Sequence, residues 1–244
     1  MQNRPEPETI VITGGSAGIG RSIAEHCLAI GRRVVSVDRQ EPAFRHANLE
    51  FIQADLADCA DTDRAAAAAA AFRPLGFVHN AGVIRPALIA DARPEDLRYL
   101  FDLHVMAAVR FVQAMLPEWE RAGIGRIVLV GSRAALGLAT RTGYSATKSA
   151  LLGLARTLSL ELGPKGITVN VVSPGPIVTD MFHEIVPADS PKKDALARSI
   201  PVGRLGRPDD VARAAMFFLD RANGFVTGQN LFVCGGTSVG SLTI

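Results

Sequence analysis

"TIVITGGSAGIGRSIAEHCLAIGRRVVSVD", residues 9–38, decides the fold. Residues 9–13 are a short, apolar, β-branched run of the kind that favours a strand. A glycine-rich turn follows, then a helical segment to about Gly31, then a second strand-like run, "RVVSVD" (33–38). Gly14, Gly18 and Gly20 have the spacing GxxxGxG. Glycine lets the chain turn sharply and lets a pyrophosphate approach a helix N-terminus, where free N–H groups and the dipole favour an anion. Asp38 ends the second strand, 18 positions after Gly20. A glycine turn at the first strand–helix junction with an acid at the next strand end points to a dinucleotide. The Asp38 carboxylate can accept both ribose hydroxyls of NAD and repels the 2′-phosphate of NADP. Arg39 argues the other way, since a guanidinium pairs with phosphate, but the turn itself offers only Ser16 and Ala17. The balance falls to NAD.

Outward from this stretch the alternation continues. "LEFIQAD" (49–55), "GFVHNAG" (76–82), "GRIVLVGS" (125–132), "ITVNVVSPGPIVT" (167–179) and "NLFVC" (230–234) read as strands with their exits. Helical stretches are expected at roughly 94–122, from residue 141 to "GPKG" (163–166), and over "RPDDVARAAMFFLD" (207–220), where Pro and two Asp open the first turn. The alanine run 65–71 is helix former without further meaning. Strands alternating with helices predict an α/β fold, a doubly wound parallel seven-stranded sheet with helices on both faces, because parallel strands need crossover connections. No composition break or repeat divides residues 1–244, so one domain is expected. The least regular region, 179–203, holds Met181, Phe182, Ile185 and Val186, then Pro187, Pro191 and Pro201; it reads as a long loop serving as a substrate lid.

Composition excludes several function classes. With 48% hydrophobic residues and a mean hydropathy of +0.20, the 244-residue chain has ample core material. The net charge of +2, without basic runs interleaved with aromatics, argues against nucleic acid. Cys27, Cys59 and Cys234 are scattered, with no metal-ligand spacing, and read as reduced thiols of a cytoplasmic protein. "MQNRPEPETI" lacks an apolar signal region. The uncharged stretch 224–244 is too rich in Gly, Thr and Ser to span a membrane.

"RTGYSATK" (141–148) holds one of two tyrosines, Tyr144, with Lys148 one helical turn on and on the same face. Such a pair is either a chance surface couple or a means of making a phenol acidic. The ordered set "TGGSAGIG", Asp38, "ADL" (54–56), "NAG" (80–82), "GS" (131–132), "YSATK" (144–148), "NVVSPGPIVT" (170–179) and "IPVGRLGRPDDVA" (200–212) resembles the short-chain dehydrogenases/reductases over nearly the whole chain.

The resemblance implies a single Rossmann domain, usually a homotetramer, with the helices around 97–122 and 144–163 at a subunit contact. It implies that Gly14, Ser16, Gly18, Ile19 and Gly20 of the turn, together with Asp38 and Arg39, hold the cofactor. Asp55 and Leu56 then flank the adenine, Asn80, Ala81 and Gly82 line the cofactor, and Pro174, Gly175, Ile177 and Thr179 border the nicotinamide. Ser132, Tyr144 and Lys148 correspond to the catalytic core, with Tyr144 and Lys148 also touching the cofactor. A free phenol has a pKa of about 10. A cation about 4 Å away at an effective dielectric near 20 is worth about 4 kcal/mol, or about three pKa units, which brings the phenol near neutrality. Tyr144 then exchanges a proton with an alcohol or ketone, Ser132 holds the substrate oxygen and Lys148 the nicotinamide ribose.

The chain departs from the family at His104, in "FDLHV", where an Asn is usual; a relay role and a merely structural one are both open. Ser132 also lies twelve residues before Tyr144, one fewer than in many members, and Cys234 stands where an acid is common. The apolar lid residues, with Ala135, Leu136 and Leu138, suit a small secondary alcohol or ketone. Arg85, Arg133 and Arg141 lie near the site loops, where they could meet an anionic substrate, though solvated surface positions are expected. Hydride transfer between NAD(H) and such a substrate is the leading reading. A 3-oxoacyl-thioester (acyl-carrier-protein) reductase is the alternative, and a non-catalytic NAD-sensing module a third.

Overall fold

The computed structural model describes residues 7–184, 186–187 and 189–239. Seven parallel strands form one sheet: β1 (Thr9–Thr13), β2 (Arg33–Asp38), β3 (Leu49–Gln53), β4 (Gly76–His79), β5 (Gly125–Val130), β6 (Ile167–Pro174) and β7 (Asn230–Val233). Their order is β3-β2-β1-β4-β5-β6-β7. Successive side chains of a strand face opposite sides, and the sequence uses both sides. Val11, Val35, Phe77, Ile127, Leu129 and Val169 join a core under α2 (Cys59–Ala70), α4 (Ala107–Ala122) and α5 (Thr142–Leu162). Ile10, Ile12, Val34, Val78, Val128 and Val172 join another under α1 (Gly18–Ala29) and α8 (Pro208–Leu219). That two-sided burial is why the strands read as near-continuous apolar runs. The doubly wound single domain matches the expectation.

The 94–122 run is long and apolar enough to cross a membrane by length and composition alone. Here it is a core element, with Phe111, Met115 and Trp119 at most 1% exposed. It is not one regular helix. α3 (Pro94–Phe101) passes into a wide π turn, Asp102–Met106, closed by the Ala107 N–H donating to the Asp102 carbonyl, before α4 resumes. No residue in "DLHVM" marks the wider turn in the sequence.

Segment 179–203 is also more regular than expected. Thr179 Oγ1 accepts from the Phe182 N–H at 3.2 Å and starts the short α6 (Asp180–His183). Ser190 caps α7 (Pro191–Ser199), where Pro191 takes the first-turn position that needs no N–H partner. The prolines that read as loop punctuation therefore include a helix start. Ile185 lies outside the described residues.

Candidate active site

From β1 the chain winds to β2 on one side, while β4 and β5 lie on the other. A crevice opens at the strand C-termini where the winding reverses, the usual ligand site of such sheets. The glycine turn leaves β1 into it. A Cβ on Gly20 would run into the Gly14 carbonyl oxygen, and one on Gly14 would come within 2.9 Å of Ala81 Cα, so the turn is folded tightly against the β4 exit. Asn80 Nδ2 donates to the Gly14 carbonyl at 2.9 Å. Thr13 Oγ1 accepts from the Asn80 and Ala81 N–H groups at 3.1 and 3.2 Å. α1 begins here with no side-chain cap and no acid in its first turn, leaving amides and dipole for an anion.

At the far end of the crevice, Asp38 is fixed by two backbone amides. Ser16 N–H donates to its Oδ2 at 3.1 Å and Gln40 N–H to its Oδ1 at 3.3 Å. A bare anion-binding turn beside an anchored carboxylate fits a dinucleotide: pyrophosphate at the turn, ribose at the acid.

The cavity holds about 540 Å³ and brings most of the sequence-derived set together. Gly14, Gly18, Ile19, Asp38, Arg39, Asp55 and Leu56 line the β1–β3 side; Asn80, Ala81 and Gly82 line the middle. Ser132, Tyr144 and Lys148 face Pro174, Gly175, Ile177 and Thr179, and Met181, Phe182 and Val186 border that half. Ser16, Gly20 and His104 stand behind the wall: Ser16 holds Asp38, Gly20 packs within the turn and His104 is fully buried.

Ser132 and Tyr144 line the same stretch of cavity wall. Burial pushes the Tyr144 phenol above its ordinary value, while the neighbouring Ser132 side chain and the Arg141 guanidinium pull it back. One Lys148 proton is taken by a neighbouring strand: Nζ donates to the Val130 carbonyl at 2.7 Å and lies 5.7 Å from the Tyr144 ring centroid. Lys148 is 3% exposed, and desolvation pulls its pKa from 10.5 down to about 7.

Two buried imidazoles support this half of the site. His104 Nε2 accepts from the Val83 N–H at 3.2 Å, so its proton sits on Nδ1, which bonds Thr147 Oγ1 at 2.9 Å. Thr147 Oγ1 in turn donates to the Tyr144 carbonyl at 3.1 Å. The His104 ring meets Tyr144 edge-on, with centroids 5.6 Å apart. Both nitrogens have fixed partners, which favours the structural role over the relay. His79, which the sequence reading passed over, bonds Thr13 Oγ1 through Nδ1 at 2.9 Å and the π-turn carbonyl of Leu103 through Nε2 at 3.1 Å. Its only signal is a polar residue ending an apolar strand just before "NAG".

Burial, and then the Lys148 charge, hold both rings neutral: His79 falls to about 3 and His104 well below its ordinary 6.5. Unfolded, both rings bind a proton near pH 6.5, so below that pH the unfolded chain holds more protons than the folded one. The stability is therefore fully present above pH 6.5 and lost as pH falls, at up to about 1.4 kcal/mol per pH unit for each ring. Urea unfolding is expected to show a loss of about 2–3 kcal/mol between pH 7.5 and 5.5, above the carboxylate range. His104→Asn should make that slope shallower. An equal free energy at the two pH values would contradict the burial of neutral rings.

Of the three arginines near the site loops, Arg85 is exposed, 3.7 Å from Asp96 and stacked over Tyr99. Arg133 is half-buried, with Nε donating to the Thr237 carbonyl at 3.3 Å. Arg141 is buried in the cavity wall, against the expectation that it would be solvated.

Known proteins share this arrangement. Residues 14–238 match the family model described as enoyl-(acyl carrier protein) reductase. The chain is 35% identical over 252 residues to a (2S)-[(R)-hydroxy(phenyl)methyl]succinyl-CoA dehydrogenase subunit from Thauera aromatica, covering 98% of each protein. It superposes with a TM-score of 0.89 on an oxidoreductase of the short-chain dehydrogenase/reductase family from Burkholderia thailandensis, 31% identical, over 96% of this chain and 94% of that one. The structure of ElxO with NADP bound, 25% identical, matches 96% of this chain and all of that one at the same TM-score. By this match over nearly its full length, the chain belongs to the short-chain dehydrogenase/reductase family, nicotinamide-dependent oxidoreductases of CH–OH and carbonyl groups.

Proposed function

We propose that the chain interconverts a small secondary alcohol and its ketone with NAD(H), using Ser132, Tyr144 and Lys148. The observation that carries this reading is that Ser132, Tyr144 and Lys148 line one cavity that continues into the glycine turn. A nicotinamide held between Tyr144, Lys148 and the Pro174–Thr179 stretch would supply the hydride acceptor in oxidation and the hydride donor in reduction. Ser132 donates to the substrate oxygen and fixes its distance from Tyr144. Tyr144 takes the hydroxyl proton in oxidation and gives it back in reduction. Lys148 balances charge on the phenol and hydrogen-bonds the ribose beside it. The segment 179–203 covers the substrate with Met181, Phe182 and Val186 and keeps water out.

Preference for NAD rests on Asp38, whose two amide bonds hold the carboxylate where a 2′-phosphate would have to sit. Arg39 and the ElxO complex with NADP are the counterweights. NADH is expected to bind wild type at least about tenfold more tightly than NADPH, and Asp38→Ala should narrow that gap about tenfold by removing the like charge. Fluorescence titration of both reduced cofactors measures it; tighter NADPH binding by wild type would reverse the assignment. A panel of alcohols and ketones, followed at the NADH absorbance band, tests the reaction itself.

The acyl-carrier-protein reductase reading draws on the matched family description, and the dehydrogenase from Thauera aromatica acts on a coenzyme A thioester. Asp38 and the near-neutral net charge weigh against an NADPH-dependent enzyme docking an acidic carrier. A cytoplasmic homotetramer is part of the proposal. Leu97, Phe101 and Leu160, exposed on α3 and α5, are apolar surface suited to copies of the chain.

A further inference from the structure

Arg141 is a buried cation without a counter-ion. It is 9% exposed, lies in the cavity wall three residues before Tyr144, and enters no ion pair among the described residues. Its Nη1 donates to the Thr140 carbonyl at 3.2 Å and to Thr140 Oγ1 at 2.7 Å; Nε and Nη2 have no partner among the described residues. A lysine in such a place can shed its proton, as Lys148 does in part, but a guanidinium stays charged. A guanidinium edge with no protein partner on a cavity wall is open to an anion from the cavity.

The local backbone serves this placement. Thr140 has φ of 64°, a left-handed conformation that a β-branched residue rarely adopts. Its carbonyl is gripped from the other side by the Ala87 N–H at 3.0 Å, and the Ala87–Arg141 bridge ties the two loops together. The guanidinium is therefore held in place, with its free edge left for a ligand. Arg133 adds a second positive charge to the same wall, its Nε on a backbone carbonyl. The acids of the cavity do not answer them: Asp38 and Asp55 lie at the opposite end, and Asp180 is exposed and unpaired with either arginine.

We infer that Arg141 binds a carboxylate of the substrate, so that the substrate is a hydroxy acid or oxo acid whose carbinol or carbonyl reaches Tyr144 while its carboxylate meets the guanidinium. A planar guanidinium edge matches a carboxylate's two oxygens. This deepens the proposed reaction and rests on Tyr144 as its proton-transfer group.

The test measures binding apart from turnover. Acetoacetate and levulinate, each beside its methyl ester, are titrated calorimetrically into the full chain saturated with NAD+, where cofactor and probe are both oxidised and cannot react. Wild type is expected to bind at least one acid about ten- to hundredfold more tightly than its ester, as a charge-assisted pair requires. In Arg141→Gln the acid-to-ester ratio should fall to about one, and in Arg141→Lys, which keeps the charge but loses the fork, to an intermediate value. A wild-type ratio near one overturns the inference, as does an unchanged ratio in either variant; should the Gln variant not fold, the Lys variant decides. The same pairs are then offered with NADH. Tight acid binding without any turnover overturns the dehydrogenase reading and leaves Arg141 its carboxylate, whereas turnover of acid and ester alike overturns the role of Arg141 alone.

Discussion

Turnover of the Tyr144→Phe variant is expected to fall by about 10²–10⁴-fold, the contribution of one well-placed general acid–base group. The substitution removes one oxygen and its proton and keeps the ring. The edge-on contact with His104 and the helix that carries Lys148 should therefore persist, and melting temperature and cofactor affinity should change little. Ser132 would keep its backbone donor, the Ala134 N–H at 3.1 Å. The loss should appear equally with every substrate and in both directions, because the same proton moves in each. Initial rates at the NADH absorbance band measure the effect. Near-normal turnover in a folded variant would refute Tyr144 as the proton carrier and leave no other phenol on the wall but Tyr99.

Much of this site was legible because it depends on local rules. The Gly14–Gly20 spacing and Asp38 describe one turn and one strand end, and the neighbouring strands only confirm what that stretch requires. The apolar runs 9–13, 33–38 and 125–130 are buried on both faces, and two-faced burial leaves few other readings. What stayed hidden depends on partners far apart in sequence. His79 is a polar strand residue until Thr13 and Leu103 are brought to its two nitrogens. The π turn at 102–106 carries no propensity signal; a turn type inside a helix is settled by what packs against it. Arg141 looked like one more surface arginine, since burial of a charge is visible only when the wall around it is assembled. The spacing of Tyr144 and Lys148 was legible as one helix face, but the direction that one ammonium proton takes was not, because the Val130 carbonyl that accepts it belongs to another element.

That direction changes what Lys148 is expected to do. An ammonium hydrogen-bonded to a strand-end carbonyl, with a pKa near 7, is not a permanent charge beside the phenol. In the proposed mechanism it forms with Tyr144 a couple that gives up its first proton around neutrality. The reactive member is the form with the proton on Lys148 and the charge on Tyr144. If Lys148 is replaced by Met, the stem is kept and the couple is reduced to a lone phenol, which burial holds above its ordinary 10. Oxidation in wild type should thus rise with pH through about 7 and level off, whereas in Lys148→Met the rise should move up to the alkaline range of the buried phenol. At pH 7.5 the variant should retain about a hundredth or less of wild-type kcat/KM, with activity partly recovered as pH climbs towards 10. A pH series of initial rates on both proteins, with circular dichroism to confirm folding, reads the shift. A profile that keeps its midpoint near 7 in the Met variant would show that another group titrates there, and Lys148 would then be left with positioning the cofactor alone.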